Sequence, residues 1–319
     1  MNYLAFLTRK FLDSYRDSNK VVKFYNLKSL NGRFVWVRIF FIKFFYSFPK
    51  LRNLKFFFYS ADDVEESSFV DEKINVKNLL QDIDLQGYSS LFHIKDSYIN
   101  KLKNLIFESK KHDLQKIPEL YKKKIFKFDN ETQDDYFSRL KSYGISRITG
   151  NIDLNIPNSL SEILFSKKFL LLAKSYLGQS AMTVSASYFI SFPNKNLNEI
   201  DKISNAQYFH WDNDFTKFLK LYIYLSDVDA NSGPHVFVTG THKRKNFKHK
   251  LHRPYADNDI YSSYSEVKSF LGNKGSSFFV DSYGLHKGET VKTNNRIMLN
   301  IHYGKGKLLY SACDKFIKY

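Results

Sequence analysis

The stretch FHWDNDF at residues 209–215 places His210 and Asp212 two positions apart. On an extended strand, side chains so spaced project from one face while Trp211 turns away. An imidazole and a carboxylate in that arrangement can grip a divalent ion. They can equally decorate a hydrated loop, because nine histidines yield about one His-x-Asp or His-x-Glu by chance. A third ligand would complete the two-histidine, one-carboxylate set that leaves coordination positions open on iron. His286 in SYGLHKGE, 74 residues beyond Asp212, is the candidate. Ten residues later Arg296 opens RIMLNIHYG. By parity it shares a face with Met298, Asn300 and His302, leaving Ile297, Leu299 and Ile301 on the other. An arginine facing a cavity beside a metal suits a two-pronged grip on a carboxylate. The four residues in this order are far more specific than any one of them.

Those residues need a scaffold, and the runs around them outline one. After Gly178 the pattern shifts to short extended segments: TVSASYFISF (183–192), FLKLYIYLSDV (218–228), HVFVTG (235–240), SSFFVDS (276–282) and RIMLNIHYG (296–304). In the second, Leu219, Leu221, Ile223 and Leu225 alternate with Lys220, Tyr222 and Tyr224, the period of a strand with two different faces. DANSGP (229–234) is a turn, which Asp227 and Asp229 are expected to shape rather than perform acid–base work. Several short strands divided by turns predict a sandwich or jelly roll, not a parallel α/β sheet. Before Gly178 the period is helical. DSYINKLKNLIFESKK (96–111) starts at Asp96 and carries Ile99, Leu102, Leu105 and Ile106 along one stripe. SLSEILFSKKFLLLAKSYLG reads as one helix from Ser159 to a stop at Gly178. Both are expected to support the sheet. His235, His242, His249 and His252 sit among basic residues at irregular spacing, which reads as a solvated loop rather than a second metal site. Lys220 and Lys243 read as surface or rim lysines, the competing role being contact with an anionic substrate.

Composition bounds the class. With 319 residues, 43% hydrophobic and 25% charged, the chain can bury a large core and is of globular type. Its single cysteine, Cys313, excludes an internal disulfide framework and a multi-cysteine zinc site, and fits a reducing compartment such as the cytoplasm. No signal peptide is read in residues 1–10. The net charge of +17 is unevenly spread: residues 1–60 hold twelve Lys and Arg against Asp13 and Asp17, together with 18 of the 55 aromatic residues. ADDVEESSFVDE (61–72) then reverses the sign, which places a boundary near residue 60. Within the basic, aromatic N-terminal segment, FVWVRIFFIKFFYSFPKL (34–51) is interrupted by Arg38, Lys43 and Pro49. A helix there would be roughly 22 Å long, short of a hydrocarbon core of roughly 30 Å. The segment can lie in a membrane interface with its cations on anionic lipid, or form an interior element with charges at its rim. Nucleic-acid binding is not expected, since no recognised module accompanies it.

QYFHWDNDFTKFLKLYIYLSDVDANSGPHVFVTGTHK (207–243), followed by GLHKGE and Arg296, resembles the phytanoyl-CoA dioxygenase family. LQGYSSLFHIKDSYINKLKNLI (85–106) is similar to that family's usual opening, so the resemblance spans roughly residues 75–305 and leaves the N-terminal segment outside it. It implies a mainly β fold with supporting helices, a double-stranded β-helix or jelly roll, over residues 61–319, with 1–60 as an N-terminal extension. It further implies an Fe(II)/2-oxoglutarate-dependent dioxygenase: His210, Asp212 and His286 as iron ligands, Arg296 as anchor for the distal carboxylate of 2-oxoglutarate, and Gln207 as a further co-substrate contact, with O2 as the oxidant. Many relatives carry serine two residues after the distal histidine where this chain has Gly288, and some space the arginine one residue further. Halogenating relatives have Ala or Gly in place of Asp212, so hydroxylation of a C–H bond is the expected outcome, with succinate and CO2 released. The expected substrate is a small or lipid-linked metabolite, met in the cytoplasm or at an anionic membrane surface. The alternative is a non-catalytic jelly roll that binds lipid or an acidic partner through its basic N-terminus.

Overall fold

In the computed structural model, which describes residues 68–70, 74–108, 132–152, 154, 159–178, 181–212, 217–250, 254–304 and 315–318, the alternating runs become two antiparallel sheets. The N-terminal segment 1–60 and the boundary near residue 60 lie outside the described residues. The larger sheet runs β1 (Phe92–His93), β7 (Ser276–Val280), β4 (Phe218–Tyr224), β9 (Arg296–Gly304), β3 (Ala181–Ser191) and β10 (Lys315–Lys318). A further strand, β2 (Arg147–Ile152), pairs with the other end of β3. The smaller sheet is β6 (Val267–Phe270), β5 (His235–Val238) and β8 (His286–Gly288). Neighbours in sequence are often not neighbours in the sheet, the connectivity of a jelly roll.

The larger sheet has two unlike faces because its strands alternate. Leu219, Leu221 and Ile223 of β4, Ile297, Leu299 and Ile301 of β9, and Val184, Tyr188 and Ile190 of β3 join one apolar core on the back. Helices α1 (Val76–Gln86), α2 (Asp96–Glu108), α3 (Gln133–Ser142), α4 (Ser159–Leu164) and α5 (Lys167–Leu177) bury their apolar stripes in that same core. Each fully buried aliphatic or aromatic side chain there contributes about 1.5–3 kcal/mol. The front face meets the smaller sheet. Tyr222, Tyr224 and Met298 pack with Phe237 and Phe270, and Phe270 stacks on Phe278 with centroids 4.0 Å apart. The front face is where the larger sheet carries its polar residues, so polar groups from both layers converge between them.

Two local features differ from the sequence expectation. The helix expected over 159–178 is broken at Phe165–Ser166: the Ser166 hydroxyl accepts from the Phe169 amide and starts a second helix, α5. A serine hydroxyl that caps in this way competes with the continuing helical hydrogen bond, so the helix restarts on a new axis. Gly178 closes α5 as expected. The second difference is β2, a strand not anticipated between the helices. Helix α2 follows its expected path to Glu108, and residues 109–111 lie outside the described residues.

Candidate active site

His210 and His286 are joined by a reciprocal pair of backbone bonds. The His210 amide donates to the His286 carbonyl at 2.9 Å, and the His286 amide donates to the His210 carbonyl at 2.8 Å. Directly opposed residues of an antiparallel bridge project to the same side, and the two imidazole centroids lie 4.4 Å apart. Two residues on, Asp212 is fixed by its amide, which donates to the Ser282 carbonyl at 2.8 Å. Each imidazole is also fixed in its tautomer. Nδ1 of His210 lies 2.9 Å from the Tyr208 carbonyl, and Nδ1 of His286 lies 2.9 Å from the Gly284 carbonyl. A carbonyl only accepts, so Nδ1 carries the proton and Nε2 presents a lone pair. Those lone pairs face Asp212, at 3.7 Å from Oδ1 for His210 and 3.5 Å from Oδ2 for His286. Such separations are too long for good hydrogen bonds. They suit ligand atoms about 2 Å from a shared ion. Ligand atoms of the three residues all lie within 4.8 Å of one another, and no other cluster of this kind occurs among the described residues.

The electrostatics favour a bound cation. Burial, the largest influence on Asp212, pushes its carboxyl up, but Lys220, His286 and His210 together hold it well below the usual carboxylate range. Burial draws His286 down to about 3, so its imidazole stays neutral and available as a ligand. Lys220, expected at a rim, is instead buried and places Nζ 2.6 Å from Asp212 Oδ2. The reason is the alternation of β4: its polar side faces the other sheet rather than solvent. Lys243, by contrast, makes a half-exposed ion pair with Asp84.

Beside the triad, Arg296 enters from the first position of β9. Its Nη1 donates to the Gly233 carbonyl, Nη2 to Ser191 Oγ at 3.3 Å, and its buried Nε has no hydrogen-bond partner. Gly288 faces this guanidinium. A Cβ added there would come within 3.3 Å of Nη2 and 3.4 Å of Nη1, so the glycine keeps open a cradle that a carboxylate oxygen can enter. The cavity between the sheets measures about 230 Å³ and is lined by the three ligand candidates together with Arg147, Lys220, Tyr222, His235 and Arg296. Gln207 does not line it: Ala206 does, and the Gln207 side-chain Oε1 accepts from Thr290 Oγ1 at 3.0 Å. Ala206 adopts φ 57°, a costly left-handed conformation for a residue with a Cβ, and its carbonyl accepts from the Gly288 amide.

His235, His242 and His249 are buried rather than solvated. His235 is a buried residue of β5, 5.4 Å from His286 and 4.9 Å from Tyr222 between ring centroids. His242 is buried with Nε2 3.0 Å from the Asp84 carbonyl, and His249 is buried between the Tyr264 hydroxyl and Asp259. Basic neighbours suggested exposure, but strand β5 and the turns after it pack inward and carry these imidazoles with them. His252 lies outside the described residues. Asp229 does shape its turn, accepting from the Asn231 amide at 2.9 Å and the Ser232 hydroxyl at 2.6 Å, and Asp227 accepts from the Lys274 amide. Arg147 of β2 was not singled out in the sequence. Its signal was available: in RITGNI, Arg147, Thr149 and Asn151 alternate with Ile148, Gly150 and Ile152, a polar front and a smaller apolar back.

Two imidazoles and one carboxylate on one side of an open cavity fit Fe(II), and an arginine with a cleared cradle beside them fits the far carboxylate of 2-oxoglutarate. The family that the sequence matches points the same way. Residues 110–298, more than half the chain, match the family model for phytanoyl-CoA dioxygenase. Among solved structures, the chain is similar to the non-heme α-ketoglutarate-dependent carbocyclase SnoK from nogalamycin biosynthesis, at 14% identity over 73% of this chain and 86% of that one, with a TM-score of 0.47. It is also similar to HygX from Streptomyces hygroscopicus, solved with nickel, 2-oxoglutarate and hygromycin B, at 11% identity over 71% and 86%, with a TM-score of 0.46. No curated protein matches the chain. The chain belongs to the phytanoyl-CoA dioxygenase family and is an Fe(II)- and 2-oxoglutarate-dependent oxygenase.

Proposed function

We propose that this oxygenase hydroxylates an unactivated C–H bond of a small or lipid-linked metabolite, with His210, Asp212 and His286 as iron ligands and Arg296 as the anchor for 2-oxoglutarate. The observation that supports this most strongly is the convergence of two Nε2 lone pairs and one carboxylate beside the Arg296–Gly288 cradle. When bound, iron with 2-oxoglutarate and O2 supplies the oxidising power, one oxygen atom going to succinate as CO2 leaves and the other to the substrate.

The residues of the chain set the conditions for that chemistry. The Tyr208 and Gly284 carbonyls hold both imidazoles in the ligating tautomer. Lys220 keeps Asp212 ionised and holds its Oδ2. Arg296, held by Gly233 and Ser191, aims its guanidinium so that the co-substrate arrives in a fixed pose. Tyr222 and His235 wall the cavity. With iron bound, Asp212 would supply a carboxylate ligand, which favours hydroxylation over halogenation.

The purified full chain, given Fe(II), 2-oxoglutarate and 18O-labelled O2, is expected to release succinate carrying one labelled oxygen atom. Asp212→Ala should reduce that release by about a hundredfold or more. Succinate formation that is independent of iron, or undiminished in Asp212→Ala, contradicts the assignment.

A further inference from the structure

The cavity holds more positive charge than iron and 2-oxoglutarate use. Its lining has three cations, Arg147, Lys220 and Arg296, against one carboxylate, Asp212. Fe(II) and the 2-oxoglutarate dianion cancel each other, so a loaded cavity keeps the excess of two positive charges that this lining carries. Lys220 is paired with Asp212. Arg296 faces the cradle beside Gly288. Arg147 has no carboxylate partner among the described residues. It donates through Nη1 to the Asn205 carbonyl, lies 4.3 Å over the Phe189 ring, and keeps a buried Nε without a hydrogen-bond partner.

Position adds to the charge argument. Arg147 of β2 and Arg296 of β9 both oppose Ser191 of β3, so the two guanidiniums start in one row on the front of the sheet, about 10 Å apart at their Cα atoms. Burial first, and Arg296 second, draw Arg147 down to about 10, so it remains charged at neutral pH. A half-buried guanidinium facing a like charge is costly until an anion joins it. β2 pairs with β3 at the sheet's margin, and the Asn205–Ala206 turn borders the cavity on the same side. An arginine placed there lines the cavity beside that turn.

We propose that Arg147 anchors an anionic group, a carboxylate or a phosphate, carried by the substrate. This rests on the reading of Arg296 as the co-substrate anchor. It narrows the substrate class to oxyanion-bearing metabolites, and it assigns Arg147 as a specificity-determining residue of the reaction.

Calorimetric titration of the anaerobic full chain tests this, with Fe(II) and 2-oxoglutarate loaded and inorganic phosphate, acetate and uncharged acetamide as probes. The expected result is that phosphate or acetate binds in one equivalent and acetamide does not, the better anion naming the group. Arg147→Gln should weaken that anion by about tenfold or more and Arg147→Lys should recover part of the loss. Both variants should leave 2-oxoglutarate affinity within about twofold of wild type. Absence of anion binding, equal binding of acetamide and acetate by the wild type, or equal anion binding by wild type and Arg147→Gln overturns the proposal. So does a fall in 2-oxoglutarate affinity in Arg147→Gln, which would make Arg147 part of the co-substrate site. Failure of the wild type to bind Fe(II) and 2-oxoglutarate at all overturns the underlying assignment too, and is seen in the loading step before any anion is added.

Discussion

At the scale of single residues, the site rests on restraints that act before any metal arrives. The two imidazoles are locked by carbonyls at Nδ1, and Asp212 is gripped by its own amide and by Lys220. Preset ligands of this kind lose little conformational freedom on binding. Arg296→Lys keeps the charge but loses the planar fork, so 2-oxoglutarate affinity should fall by roughly tenfold with iron affinity unchanged, read by calorimetry. Equal losses of both affinities would instead mean that Arg296 holds the cavity together. His210, Asp212, His286 and Arg296 were legible in the sequence because their chemistry is tied to spacing and strand parity. For Arg147 only the face was legible, from the alternation of RITGNI, and for His235 not even that. Nothing in a one-dimensional string reports that β2 lies two strands from β9, or that a histidine among lysines turns inward.

At the scale of elements, the larger sheet works as a partition. One face is sealed by helices and the other presents polar groups to the smaller sheet. β2 is held on this partition by a tight fit: Gly150 opposes Tyr188 of β3, and a Cβ on Gly150 would lie 2.1 Å from the buried Tyr188 ring. Gly150→Val should therefore destabilise the protein by about 1–3 kcal/mol in urea denaturation. Unchanged stability would mean that β2 moves freely and that Arg147 is not rigidly placed. The alternating strands β3, β4, β5, β7 and β9 were visible as period-two runs. The break in the helix at Ser166 was hidden because Ser-Lys-Lys continues a helical pattern by composition, and only the capping bond shows the restart. The short strands β1, β6 and β8 take their conformation from their partners rather than from their own sequence.

At the scale of the whole molecule, buried neutral histidines make stability depend on pH. Burial holds His235 and His302 well below the ordinary histidine value, with His286 and Lys220 as the next influences in turn. The unfolded chain takes up protons below about pH 6.5 while the folded one does not, so stability should fall as pH drops through that range. His302→Gln should flatten the decline in denaturation midpoints measured between about pH 7.5 and 5; an unchanged slope would assign it elsewhere. The N-terminal segment 1–60 we propose as a membrane-interface element, on its concentration of basic and aromatic residues alone. Vesicles containing anionic lipid should then pull down the full chain but not residues 61–319, and equal capture of both refutes an anchoring role.

The central claim is that His210, Asp212, His286 and Arg296 form one site for Fe(II) and 2-oxoglutarate. Anaerobic titration of Fe(II) and 2-oxoglutarate into the protein, followed by the visible charge-transfer absorption of the chelated pair, tests it without any substrate. A band saturating at one equivalent of each is expected, abolished in Asp212→Ala and His286→Ala and moved to roughly tenfold higher 2-oxoglutarate in Arg296→Lys. A band that survives in Asp212→Ala and His286→Ala, or no band in the wild type, would contradict it.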